Sequence, residues 1–276
     1  MKLNALNKIV EHYDETDKMP VLFVGHGNPM NAIEDNVFSR EMKRMGKDVP
    51  KPKAILMISA HWETRGTFVT AMEKPKTIHD FGGFPQALFD VQYPAPGSKW
   101  LVVETEQTVK KTTIRLDESW GFDHGCWSVT KNMFPQADIP IIQLSLDYTQ
   151  PPQYHYELAK ELASLRKKGV LIIGSGNMVH NLGMISVKNN DFNMPYGYDW
   201  AIEANETFKK LIIANDHKSL IKYSSLGKAI ELSIPTPEHY LPLLYILALK
   251  EEKEQIAFLN DVVVGGSASM TSVKIS

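Results

Sequence analysis

The sequence predicts a three-layer α/β/α fold around a central, largely parallel mixed sheet. Two patterns carry that reading. Short runs rich in Ile, Val and Leu are apolar at almost every position, and longer segments with apolar residues at helical spacing alternate with them. Runs that are apolar at odd and even positions alike suit strands covered on both faces, the habit of parallel sheets. The chain of 276 residues is long enough to bury a large core, and residues 1–276 are read as a single domain with a helical N-terminal extension over residues 1–19.

The strand candidates are residues 21–24, 54–59, 140–145 and 170–173. The first predicted helix covers residues 152–168, where Leu158, Leu162 and Leu165 form a stripe, Pro151 and Pro152 suit the start, and Gly169 suits the end. The second covers residues 199–214, with Trp200, Ala204, Phe208, Leu211 and Ile212 on one side and Asp199 as its cap. A third starts near Pro237 and runs to Lys250. Residues 64–98, with several prolines and the pair Gly82–Gly83, read as a short strand and a long loop over the sheet edge. Long loops in compact domains often carry function.

Charge excludes some partners. Thirty basic residues face 32 acidic ones without a concentrated basic stretch, so no nucleic-acid surface is expected. The run Arg166, Lys167, Lys168 closes a predicted helix, where cations suit the dipole. The apolar run near residues 241–249 contains Pro242 and is too short to span a bilayer. Cys126 is the lone cysteine, so no internal disulfide forms. With no signal-like apolar core in the first residues, a reducing, cytoplasmic setting is expected.

Nine histidines are present. His26 and His61 each follow a strand candidate, and His180 comes shortly after another. Groups past the carboxyl ends of parallel strands converge on one crevice. Neutral imidazole is the commonest protein ligand for divalent transition metals. A metal site built from distant strand ends is therefore the leading reading. His12, His155 and His217 are expected to face solvent, and His79 to line a pocket. His124 is open between a turn and a site role, and His239 sits where a helix begins.

Other motifs fall short. Gly25-His26-Gly27 and Gly174-Ser175-Gly176 follow strands but lack the third glycine of a dinucleotide loop. Ser175 stands where a nucleophile elbow would put it, yet Ile173 occupies the required glycine position. Cys126 beside His124 reads as a small buried hydrophobe rather than a nucleophile.

Taken in order, Gly25-His26-Gly27-Asn28-Pro29, Ser59-Ala60-His61-Trp62-Glu63, His79-Asp80-Phe81-Gly82-Gly83-Phe84-Pro85, Asp123-His124-Gly125, Gly174-Ser175-Gly176-Asn177-Met178-Val179-His180-Asn181, Thr236-Pro237-Glu238-His239-Tyr240 and Ser269-Met270-Thr271-Ser272 resemble the class III, LigB-type extradiol dioxygenases. Within them the chain is similar to the DOPA 4,5-dioxygenase-like branch, from about residue 20 to residue 273. The resemblance implies one divalent metal per chain, held by His26, His61 and His239. It assigns His180 as acid/base beside the metal and His124 as a second pocket histidine near the substrate oxygens. Glu238, adjacent to His239, is the alternative third ligand, and His180 is the candidate fourth. Fe(II) is implied for ring opening, with Zn(II) expected in isolated protein because zinc outcompetes iron for nitrogen sites. The partners implied are a small catechol and O2, with no membrane and no nucleic acid, in a monomer or homo-oligomer. Arg65 is the candidate for a substrate carboxylate. The rival reading is a zinc hydrolase on the same histidines with Glu63 or Glu238 as base, or a zinc-holding protein without turnover.

Overall fold

A computed structural model describes residues 16–189 and 191–276; most of the expected N-terminal extension lies outside the described residues. The central sheet has six strands: β1 (Val21–Gly25), β2 (Ala54–Ser59), β3 (Ile141–Gln143), β4 (Val170–Gly176), β5 (Ile256–Leu259) and β6 (Ser272–Ile275). Their order is β5-β6-β1-β4-β2-β3. β1, β4, β2 and β3 run parallel. β6 pairs antiparallel with β1 and with β5, which makes the sheet mixed, as expected. Among the described residues no helix is long and apolar enough to cross a membrane.

Every residue of β1, β2 and β4 is buried. Their side chains alternate between two layers. Val21, Phe23, Leu56, Ile58, Val170 and Ile172 share a core with α2 (Lys99–Thr108), α4 (Pro152–Glu161), α5 (Asp199–Ile213) and α6 (Leu241–Ala248). Leu22, Val24, Ile55, Met57, Leu171 and Ile173 join the core under α1 (Val37–Lys47) and α3 (His124–Met133). Burial of each such aliphatic side chain contributes about 1.5–3 kcal/mol, so the parallel strands give a well-packed base for the groups at their ends.

Several boundaries depart from expectation. The helix predicted over residues 152–168 is α-helical only to Glu161 and continues as a 3-10 segment, Leu162–Lys168, ended by Gly169 in the left-handed region at φ 78°. Asp199 is the first helical residue of α5, not its cap; Tyr198 precedes it without a side-chain cap bond. The third helix starts at Leu241, with Pro242 in its first turn. Residues 237–240 form a turn closed by Tyr240 N donating to Pro237 O at 2.9 Å. Of the run 140–145, only Ile141–Gln143 joins the sheet. The stretch 64–98 is more ordered than a loop. Thr67–Thr70 pairs with Ile114–Asp117, Lys76–Thr77 pairs with Gly121–Phe122, and Gln86–Phe89 is a short helix.

Candidate metal centre

The carboxyl ends of β1, β4 and β2 lie side by side, and their pairing extends past the strands. His26 N donates to Gly176 O at 3.2 Å, and Ala60 N donates to Ser175 O at 2.9 Å. That ladder holds the residues after β1 and β2 in register with the end of β4. The turn before α6 closes the group, since Asn177 N donates to His239 O at 2.9 Å. Gly176 makes this approach possible, because a Cβ there would lie 2.1 Å from His239 O.

Five imidazoles gather here. The ring centres of His26, His61 and His239 form a near-equilateral triangle, with sides of 5.1, 5.1 and 5.0 Å. His124, the first residue of α3, lies 3.8 Å from the His61 ring centre. His180 stacks flat on His239 at 3.4 Å and 12°. The ring nitrogens fall into two tight groups: His26, His61 and His124, and His180 with His239 and a carboxylate oxygen of Glu238. All the histidines singled out for the site thus meet at one place.

The partners of each Nδ1 fix the tautomers. The His61 and His124 Nδ1 atoms lie 3.2 and 3.0 Å from the two oxygens of Asp80. A carboxylate only accepts, so both rings carry the proton on Nδ1. His239 Nδ1 lies 3.3 Å from Asn177 Oδ1, again an acceptor. His26 Nδ1 lies 2.9 Å from Ser175 Oγ. That hydroxyl already donates to Gly125 O at 2.6 Å, so it accepts from His26. Each ring is left with a bare Nε2. Such outer partners orient metal-binding imidazoles and raise their basicity.

His26 Nε2 and His61 Nε2 stand 3.2 Å apart. Two lone pairs at that distance repel, and a cation between them removes the repulsion. Two nitrogens on a tetrahedral ion at about 2.0–2.1 Å are about 3.4 Å apart. The donor set therefore fits a divalent metal. Burial holds the His26 and His239 imidazoles well below the usual histidine range, reinforced by the charges neighbouring rings would carry. Burial also lowers His124, against the pull of Asp80. His180 is pushed down to about 4 by burial, then by His61 and His124. All four are neutral at physiological pH, the form that binds metals and accepts protons. Burial alone would raise the Asp80 carboxyl, but hydrogen bonds from His124 and His61 outweigh it and hold the group well below the carboxylate range.

The rings open into a cavity of about 450 Å³. Phe81, Phe84, Leu182, Ile185 and Phe192 supply its apolar wall. Phe81 presents its edge to His124, with ring centres 5.5 Å apart.

Some expectations fail. Arg65 is exposed and does not line the cavity. His79 lies behind the wall, its Nε2 3.0 Å from Val91 O and its ring against Phe81, Phe89 and Trp127. His155 is fully buried instead of solvent-facing, 3.1 Å from the Tyr245 hydroxyl. His217 is half-buried and bonded to Tyr156. His12 lies outside the described residues. Ser175 is wholly buried within β4, where no substrate reaches it. Cys126 is buried too, and burial followed by Asp123 pushes its thiol well up, so it is no nucleophile. The functional residues given no role from sequence are Asp80 and Asn177. Both lie within the ordered motifs, and a carboxylate in a glycine- and aromatic-rich loop was the available signal for Asp80.

Comparisons with known proteins agree with the geometry. The family model described as the catalytic LigB subunit of aromatic ring-opening dioxygenase matches residues 20–263. The chain is 47% identical over 262 residues to the 4,5-DOPA dioxygenase extradiol of Escherichia coli (strain K12), covering 94% of this chain and 95% of that one. It is 33% identical over 260 residues to the 4,5-DOPA dioxygenase extradiol of Beta vulgaris, covering 92% and 95%. The crystal structure of an uncharacterised Escherichia coli K12 protein superposes with a TM-score of 0.79 at 40% identity, over 94% of this chain and all of that one.

Proposed function

The chain belongs to the LigB family of catalytic subunits of aromatic ring-opening dioxygenases, and from that premise we propose that it is an extradiol dioxygenase opening DOPA-like catechols with O2 at one histidine-bound metal. The observation that carries the proposal is the pair of bare Nε2 atoms of His26 and His61, 3.2 Å apart at the floor of an apolar cavity. Residues from 26 to 239 contribute to one site, which supports reading the chain from residue 20 onward as one catalytic domain. A cytoplasmic location belongs to the same reading, resting on the lone buried cysteine.

His26, His61 and His239 hold the ion, since their ring centres form the regular triangle. The tighter nitrogen grouping with His124 supports a second reading, in which His124 replaces His239. Loss of metal from His239→Ala with retention in His124→Ala supports the first assignment, and the reverse result supports the second. Glu238→Ala is expected to keep its metal. When bound, iron(II) supplies the redox change that splitting dioxygen requires, whereas zinc, expected in protein as isolated, has none and supplies polarisation alone.

The residues divide the remaining work. His180, neutral and flat against His239, accepts a proton from a catechol hydroxyl and later returns it to a product oxygen. His124 presents its Nε2 to the pocket and accepts a hydrogen bond from the second hydroxyl. Once it takes that proton, it becomes a donor to the developing oxyanion, with Asp80 stabilising the imidazolium as a buried carboxylate does in a catalytic triad. The apolar wall excludes water and holds the ring. The bond that breaks joins a hydroxylated ring carbon to its unsubstituted neighbour. Both dioxygen atoms enter the product, which is a carboxylic acid and an aldehyde on one chain.

The test is anaerobic loading with Fe(II), then oxygen uptake with a panel of catechols. Catechol-dependent uptake with a yellow ring-opened product is expected. Absence of uptake across the panel, with ester cleavage by the zinc form, would replace this reading by a metallohydrolase.

A further inference from the structure

Asp123 stands one residue before His124 and is wholly buried. As the residue that caps α3, it accepts from Cys126 N at 3.0 Å. A cap requires one oxygen, and Ser, Thr or Asn supplies it as well as Asp. Here both oxygens are taken up. Oδ1 also accepts from Ser59 Oγ at 2.6 Å. Oδ2 accepts from Gln143 Nε2 at 3.0 Å and from Trp120 Nε1 at 3.2 Å. Four donors converge on this carboxylate, from the end of β2, the end of β3, the stretch before α3 and α3 itself. A cap with one oxygen would leave some of them buried without a partner, which is costly.

The bond to Ser59 leads to the metal centre. Ser59 Oγ accepts from His61 N at 3.2 Å while it donates to Asp123. One hydroxyl thus ties the His61 backbone to the carboxylate before His124. The Trp120 bond leads back to the same segment, because Trp120 stacks on Trp62, the residue after His61, at 6.0 Å. Gly125 shows how closely α3 meets the end of β2: a Cβ there would run into the Ser59 hydroxyl and lie 2.9 Å from His61 Cδ2. The His61 and His124 rings come out 3.8 Å apart, close enough for Asp80 to reach both. Asp123 neither lines the cavity nor belongs to a metal-binding group of side chains, so whatever it does for the centre passes through other residues.

We propose that Asp123 is a positioning residue for the metal centre. Through Ser59 it fixes the His61 backbone against the start of α3, and with it the placing of the His61 ring that the ion requires. The proposal rests on the histidine-bound metal of the proposed function and gives a role to a residue outside its donor set. A plain helix cap would serve stability alone.

Zinc affinity of the full chain, measured by competition with a chelating dye, provides the test, with urea unfolding followed in parallel. Ser59→Ala leaves the cap in place and cuts the tie to His61. It is expected to weaken zinc binding about tenfold, the lower end of the range for groups that orient metal ligands. Asp123→Ala is expected to weaken it at least as much. The double variant should bind zinc no worse than Asp123→Ala, since both substitutions cut one link. Thr130→Ala is the control. It removes a buried hydroxyl that donates to Cys126 O at 2.9 Å in the same helix, and it is expected to lower stability with zinc affinity unchanged. Unchanged zinc affinity in Ser59→Ala overturns the proposal, as does an equal loss in Thr130→Ala or multiplied losses in the double variant. If Asp123→Ala does not fold, Ser59→Ala against Thr130→Ala decides. No zinc binding by the native protein defeats the metal reading itself, a distinguishable result.

Discussion

The two ends of the parallel strands both bury polar groups, and they treat them in opposite ways. At the amino end, Arg166 is 1% exposed, although the sequence suggested only a helix-ending surface cation. Its Nε donates to Met19 O at 2.8 Å, one Nη to Leu249 O at 2.7 Å and to Glu254 at 3.0 Å, and the other Nη to the second Glu254 oxygen. At the carboxyl end, His26, His61, His124 and His239 are tied only through Nδ1, and each Nε2 faces the centre unpaired by protein. The amino end is closed within the chain and serves stability. The carboxyl end leaves ring nitrogens unpaired by protein, a donor set that fits a divalent metal. A buried polar cluster therefore reads as structural when its donors and acceptors balance internally, and as functional when the same atom type is left over on several converging side chains.

Substitutions can break this contrast. The largest effect is expected from His26→Ala or His61→Ala, each removing one member of the closest Nε2 pair. Metal content by elemental analysis should fall to background, while urea unfolding remains cooperative. Retention of metal in both variants would mean the centre lies elsewhere. Next comes His180→Ala, which should keep most of the metal and reduce turnover by about 10²–10⁴-fold, the range for loss of a general acid/base. If it empties the site, His180 is a ligand before it is a base.

At the amino end, Arg166→Met should cost about 3–5 kcal/mol in chemical denaturation, since Glu254 is left buried without its partner. Metal content should not change, and a parallel loss of metal would show that the two ends are coupled. Asp80→Asn tests the borderline case of a balancing group inside the functional end. One amide can no longer accept from both rings as a carboxylate does, and a loss of about 10–100-fold in metal affinity or activity is expected.

The smallest effect is a pH dependence of stability. Burial alone would raise the Glu254 carboxyl, but hydrogen bonds from Arg166, the Glu251 backbone and Lys18 outweigh it and hold it down to about 2, against an ordinary 4.5. A folded-state pKa below the unfolded one gives stabilisation that is complete above about pH 4.5 and fades as pH falls through about 2. Urea midpoints measured across that window should decline in the native protein and decline less in Arg166→Met.

The layers, and which histidines gather at one rim, were legible from the order of amino acids. Continuous apolar runs at residues 54–59 and 170–173 fit strands covered on both faces, and parallel strands deliver the residues after them to one crevice. Hence His26, His61 and His180 were legible as a group, and the ordered motifs added His124 and His239. Which segments form the antiparallel edge of the expected mixed sheet was not legible. β5 and β6 are four residues each, and an edge strand that mixes apolar with polar positions leaves a weak signal. Nor was the burial of His155 or Arg166, because whether a polar side chain is sunk depends on a partner distant in the chain. Tyr245 is 90 residues from His155, and Glu254 is 88 from Arg166.

Which nitrogen of each imidazole is bare was settled by packing alone. Local sequence cannot set a tautomer, because the proton goes to the nearest acceptor, and those acceptors come from other elements: Asp80 from a loop, Asn177 from beyond β4, and Ser175 with its hydroxyl spent on Gly125. Chain order brought the histidines to one rim; contact with those partners turned them inward.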